Sequence, residues 1–157
     1  MDYRHLLTVL AVIALALCFS TTGNADQAFH SQRLTLSRTD VGAVNGHLEL
    51  RSGQIVDIHT NGPQIGALER YLLNGAKANA SYDVTLRLFD GGCDGDLAGL
   101  LTNATLETDT HGNTQGQKVF TAQDLAPFAG LVFGIQWELV SDGVIAYQTR
   151  CISVAID

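Results

Sequence analysis

The chain is short of basic charge. Nine lysines and arginines stand against sixteen aspartates and glutamates, for a formal net charge of −7. That balance argues against nucleic acid as a partner, because phosphate backbones select basic patches, and against docking on anionic lipid headgroups. Long apolar runs are scarce as well. The one clear run, Leu6 to Phe19, is about fourteen residues, against the roughly twenty that a membrane-crossing helix needs. Arg4 and His5 precede it and small and polar residues follow, so the pattern predicts a secretory signal peptide over residues 1–25, cut after Ala25. Leu17 ahead of Cys18 is too large for a bacterial lipoprotein signal. The expected product is one secreted domain, residues 26–157, extracellular or periplasmic, with no stable membrane insertion after cleavage. The leader carries away Asp2 and Arg4 together, so the acidic balance is unchanged.

Cysteine is also sparse, with three in the chain. Cys18 leaves with the leader, and Cys93 and Cys151 remain as a pair in a compartment that permits oxidation. They are expected to be bonded to each other.

No stretch carries a long helical period, and internal repeats, low-complexity tracts and linkers are missing. Short alternating segments recur instead, each bounded by glycine, asparagine or aspartate. Leu34 and Leu36 alternate with polar neighbours. Leu48 and Leu50 do the same before Ser52-Gly53 and the run Gln54 to His59, which predicts a hairpin. Tyr82, Val84, Leu86 and Leu88 define one face of a strand whose other face is Asp83, Thr85 and Arg87. Ala104 to Thr108 and Gln117 to Phe120 flank "DTHGNTQG" and predict a second hairpin with a long tip. Leu131, Phe133, Ile135, Trp137 and Leu139 share a face. In the final segment, Val144 to Ile156, the apolar phase switches between Tyr147 and Ile152, predicting a bulge near Gln148 to Arg150. Ala67 to Leu73 suits a strand slightly better than a short helix, and Thr121 is placed to cap one helical turn before Pro127. The expected fold is all-β: an antiparallel β-sandwich of about seven to nine strands, with immunoglobulin-like or similar Greek-key topology.

The stretch "LLNGAKANASYDVTLRLF" resembles the approach to a central strand in immunoglobulin and fibronectin-type sandwiches, with Tyr82 in the place of a corner tyrosine. Together with "ATLETDTHGNTQGQKVF" it is similar to secreted bacterial sandwiches of uncharacterised function and, more distantly, to the copper–zinc superoxide dismutase architecture. The resemblance implies a fold and no activity. Dismutase chemistry would need a histidine cluster that includes a pair one residue apart, whereas His30, His47, His59 and His111 stand singly.

The richest local cluster is "LFDGGCDGDLAGL", where Asp90, Asp94 and Asp96 surround Cys93 in a glycine-rich loop. Calcium takes six to eight oxygens, and closely spaced aspartates can supply several. The helix-loop-helix calcium pattern fails, since counting from Asp90 puts Gly92 at its third position and Leu101 at its twelfth. A looser calcium loop and a solvated, disulfide-anchored turn both remain open. Asp57 with His59 and Asp109 with His111 are each half of an acid/base pair or ordinary surface residues. No serine sits in a strained glycine-flanked turn of the hydrolase type, and no two carboxylates are singled out for glycoside cleavage. Asn79 and Asn103 begin glycosylation sequons, and Trp137 reads as core. The expected function is a secreted, non-enzymatic binding or structural module for a protein or carbohydrate ligand, without a cofactor. The alternative is a metal-dependent enzyme or calcium-dependent binder centred on Asp90, Asp94 and Asp96.

Overall fold

A computed structural model describes residues 29–60 and 66–156, so the expected leader and its cleavage site lie outside the described residues. Two antiparallel sheets pack face to face. The first contains β1 (Phe29–Thr35), β3 (Ser52–Thr60), β4 (Ala67–Asn74) and β7 (Thr114–Phe120), in that order. The second runs β2 (Ser37–Arg38), β9 (Val144–Gln148), β8 (Val132–Ser141), β5 (Ser81–Asp90) and β6 (Leu97–Glu107), with β10 (Ile152–Ala155) also paired to β8. The all-β sandwich expected from the alternation is therefore present. It holds ten strand segments among the described residues rather than seven to nine, the surplus arising because short β2 counts separately and the last strand is split.

The inward positions are those that alternation picks out. Leu34, Ile55, Tyr71, Leu73, Tyr82, Val84, Trp137 and Leu139 are all essentially inaccessible. Burying each such side chain contributes about 1.5 to 3 kcal/mol. His47 joins this core: its Nδ1 lies 3.1 Å from the Tyr82 hydroxyl, and burial lowers its pKa, which favours the neutral ring.

Both expected hairpins are corrected. Residues 47–51 form no strand beside β3, whose two edges are taken by β1 and β4, and Leu48 is left 54% exposed. β3 instead forms its hairpin with β4, the segment that leaned towards a strand. The stretch "DTHGNTQG" does not join paired strands either. β6 pairs with β5 and β7 with β4, so this connection carries the chain from one sheet to the other. The crossing is held by Asp109 Oδ1, which accepts from the backbone N–H groups of His111 and Asn113, each at 2.8 Å. Gly112 adopts φ 75° there, and a Cβ on it would lie 1.9 Å from the Ala76 carbonyl oxygen.

The break expected near Gln148 to Arg150 is found between β9 and β10. Thr149 bridges it: its N–H donates to the Trp137 carbonyl at 2.9 Å, and its Oγ1 accepts from Trp137 N–H at 3.1 Å. The extra residues carry Cys151 to Cys93, and the two are bonded with their Cα atoms 5.8 Å apart. A short helix α1 (Asp40–Val44) lies on β9, where a Cβ on Gly42 would stand 2.5 Å from the Ala146 carbonyl oxygen. Helix α2 (Ala122–Leu125) is capped by Thr121, as expected, in a reciprocal capping box with Asp124, and continues into a 3-10 turn at Ala126–Phe128.

The disulfide joins residues 58 apart, so its loss frees a large loop in the unfolded chain. Replacing both Cys93 and Cys151 by Ser should lower unfolding free energy by about 4 kcal/mol in the chain-entropy limit. Urea denaturation of the purified domain measures this, and a loss below about 1 kcal/mol would show that the bond constrains little.

Candidate functional site

At one end of the sandwich the inward positions turn polar. On β3, Asp57 and His59 share the inward face with Ile55, and on β4 Glu69 shares it with Tyr71 and Leu73, because alternate residues of a strand face the same way. Register sets Asp57 opposite Glu69 and Glu69 opposite Lys118 of β7. The apolar core stops at this row. Between it and the facing sheet lies a pocket of about 370 Å³, walled by Leu86 and Leu88 of β5, Leu101 of β6, Phe133 of β8, Leu125 of α2 and Phe128 of the 3-10 turn that follows it.

The pocket floor is a hydrogen-bonded carboxylate cluster. Glu69 is 3% exposed and Asp57 1%. Glu69 Oε2 accepts from the Tyr71 hydroxyl at 2.5 Å and from Asn103 Nδ2 at 2.9 Å. The Trp137 indole N–H approaches the same carboxylate without closing a hydrogen bond. Burial is the main reason the Glu69 pKa is raised. The neighbouring Asp57 adds to the rise, and the Tyr71 and Asn103 donors, with the nearby indole N–H, oppose it. Tyr71 is pushed up as well, first by burial and then by the Glu69 charge. His59 Nε2 lies 2.5 Å from Asp57 Oδ2, so the pair named from sequence is formed, and it lines the pocket rather than the surface.

The other candidates are dispersed. Asp90, Asp94 and Asp96 are all exposed, and among the described residues no three His, Cys, Asp or Glu side chains gather into a set able to hold a metal ion. Their loop is a compact turn: Asp90 N–H donates to the Asp96 carbonyl at 2.9 Å, and a Cβ on Gly95 would fall 1.7 Å from the Asp90 carbonyl oxygen. It packs across Gly134 and Ser153, on the outer face of the sheet, because Phe133 and Ile135 take the inward positions on either side of Gly134. Cys93 and Cys151 anchor it there. His111 is exposed and meets Asp109 through its backbone N–H instead of its ring. Asn79 is exposed, but the Asn103 amide is committed to Glu69, so a glycan on Asn103 would have to pull that amide out of the pocket. Trp137 is buried, as expected, and also borders the pocket.

Glu69 and the role of Asn103 were not singled out from sequence. The available signal was parity: Asp57 and Glu69 sit in phase with buried Ile55 and Tyr71, and a carboxylate in an apolar phase marks either a packing fault or a site. No family model matches the chain, no curated protein matches it, and no solved structure matches it.

The raised Glu69 pKa makes a signed prediction. The folded state holds this proton more tightly than the unfolded chain, so the group's stabilisation is complete below its ordinary value of 4.5. It is lost as pH rises through the higher folded value. Wild-type protein should therefore lose stability over that window, and Glu69→Gln should flatten the decline. Urea midpoints measured at roughly unit steps from pH 4 to 9 test this, and parallel profiles for the two proteins would refute it.

Proposed function

We propose that the protein is an exported, non-enzymatic binding module whose ligand seat is the pocket between the two sheets. The observation that carries this reading is the pocket itself: an apolar-walled cavity of about 370 Å³ ending on buried polar groups. Small-molecule sites are typically clefts of about 300 to 1,000 Å³, mostly apolar, with a few placed polar groups. Export is supported by the leader pattern and by the disulfide, which suits an oxidising compartment. Binding is favoured over catalysis because the lining residues among those described include no serine or cysteine for His59 to activate.

The test is a neutral, environment-sensitive dye such as N-phenylnaphthylamine. Its fluorescence should rise on mixing with the folded protein, and saturating ligand at about a hundred times its dissociation constant should add about 2.7 kcal/mol of stability. Leu101→Trp puts a bulky indole in place of an aliphatic side chain at the pocket wall, where Leu101 is 45% exposed. The variant should keep the wild-type circular dichroism spectrum and bind the dye at least about tenfold more weakly, a loss of about 1.4 kcal/mol. No dye binding, or equal binding by the variant, would remove the pocket as the ligand seat.

A further inference from the structure

We propose that the outer face of the first sheet carries a second binding site, for an anionic oligosaccharide held between Arg33 and Arg70. It lies on the opposite side of that sheet from the pocket and stands independently of the pocket reading. Strand parity places it: Leu34, Ile55 and Tyr71 are buried inward, so Arg33, Val56 and Arg70 face out. Register sets Arg33 opposite Val56, Val56 opposite Arg70, and Arg70 opposite Gln117, in one row across all four strands. The next row holds Gln54, Leu72 and Gln115. These residues border a shallow groove of about 530 Å³.

Charge at the groove runs against that of the chain. The net charge is −7, yet the only acidic residues on these four strands are Asp57 and Glu69, and both are buried on the inner side. Arg38, Lys77 and Arg87 each have a carboxylate at 3.2 to 3.5 Å. Arg33 and Arg70 are exposed, and among the described residues they form no ion pair or side-chain hydrogen bond. Surface charges more than about 8 Å away are screened at physiological salt, so the two guanidinium groups set the local sign. Their Cα atoms are two strand spacings apart, about 10 Å, which suits two acid groups on one chain, each met by a planar fork.

The rest of the groove fits a sugar. The side-chain amides of Gln54, Gln115 and Gln117 each donate and accept, as hydroxyl groups require, and Val56 and Leu72 give an apolar floor for the C–H faces of the rings. At about 30 Å³ for each water-sized unit, the groove holds roughly eighteen, the scale of a disaccharide. An acidic peptide fits less well. β3 and β4 are interior strands with both edges taken, so a peptide has no edge there on which to add its main chain.

Isothermal calorimetry at low salt with a matched series tests the proposal: tetragalacturonate, its full methyl ester, sulfated maltotetraose and the peptide tetraglutamate. The first and third carry the two acid groups that a guanidinium fork accepts, and the ester keeps the sugar while removing the charge. The tighter of the two acidic sugars should bind at least about tenfold better than the ester or the peptide, and added salt should weaken it. Arg33→Gln and Arg70→Gln should each cost at least about fivefold. Arg150→Gln, at an exposed arginine between β9 and β10, should leave binding unchanged. Arg33 and Arg70 are exposed, so both variants should keep the wild-type circular dichroism spectrum. Equal binding of acidic sugar and ester, or full binding by Arg33→Gln and Arg70→Gln, would overturn the role of the arginines. Tetraglutamate binding as tightly as the sugars would overturn the oligosaccharide assignment in favour of an acidic peptide, and no binding by any probe would overturn the site. The pocket reading is tested apart from all of these by the neutral dye.

Discussion

A carboxylate buried between two sheets has to be satisfied or it destabilises the fold, and Glu69 is satisfied from both sides. Tyr71, two residues along the same strand, gives one hydrogen bond, and Asn103, on the facing sheet, gives another. That second bond ties the sheets together where apolar packing ends. An unsatisfied polar group in such a place costs about 1 to 3 kcal/mol, and a charged one more, which is why the raised pKa follows from the packing. The pocket exists because the row Asp57, Glu69 and Lys118 cannot pack as leucines would. Apolar side chains from the facing sheet are left lining space instead of meeting partners.

The disulfide and the pocket share one end of the sandwich but serve different surfaces. The loop carrying Asp90, Asp94 and Asp96 closes over the outer face at Gly134, where a side chain would collide with the Gly92 backbone. The break between β9 and β10 brings Cys151 to it. Ile152 and Val154, just beyond that bond, remain in the core. The acidic loop therefore acts as a clasp on the strands whose inward side chains build the pocket wall. Of its glycines, Gly95 answers to backbone crowding, while Gly91 and Gly92 take φ values of 70° and 127°.

Much of the fold was legible residue by residue. Tyr82, Val84 and Leu86 announced a half-buried strand, the phase slip after Tyr147 announced the break, and Thr121 announced the helical turn. These are local signals, carried by side-chain parity and capping chemistry within a few residues. The two hairpins were misread for a matching reason. Alternation shows that a segment is a strand and is silent on which strand lies beside it. Leu48 and Leu50 alternate as well as Leu34 and Leu36 do, yet β1 and β4 occupy both edges of β3. Likewise "DTHGNTQG" has the residues of a turn, and those residues serve equally well in a crossing between sheets.

By itself the sequence determined the class of the fold, the cysteine pairing and the acidic character, because each follows from composition or from neighbours a few positions apart. Only the tertiary structure decided where function could sit. Asp57 and His59 of one strand, Glu69 of the next, and Asn103 and Trp137 of the opposite sheet are scattered over some eighty positions, and strand register and sheet packing bring them to the lining of one pocket. The aspartates that are close together in the chain end up exposed on the outside. The carboxylates that are further apart in the chain end up face to face and buried, since burial depends on what the sheets place opposite a residue more than on what precedes it in sequence.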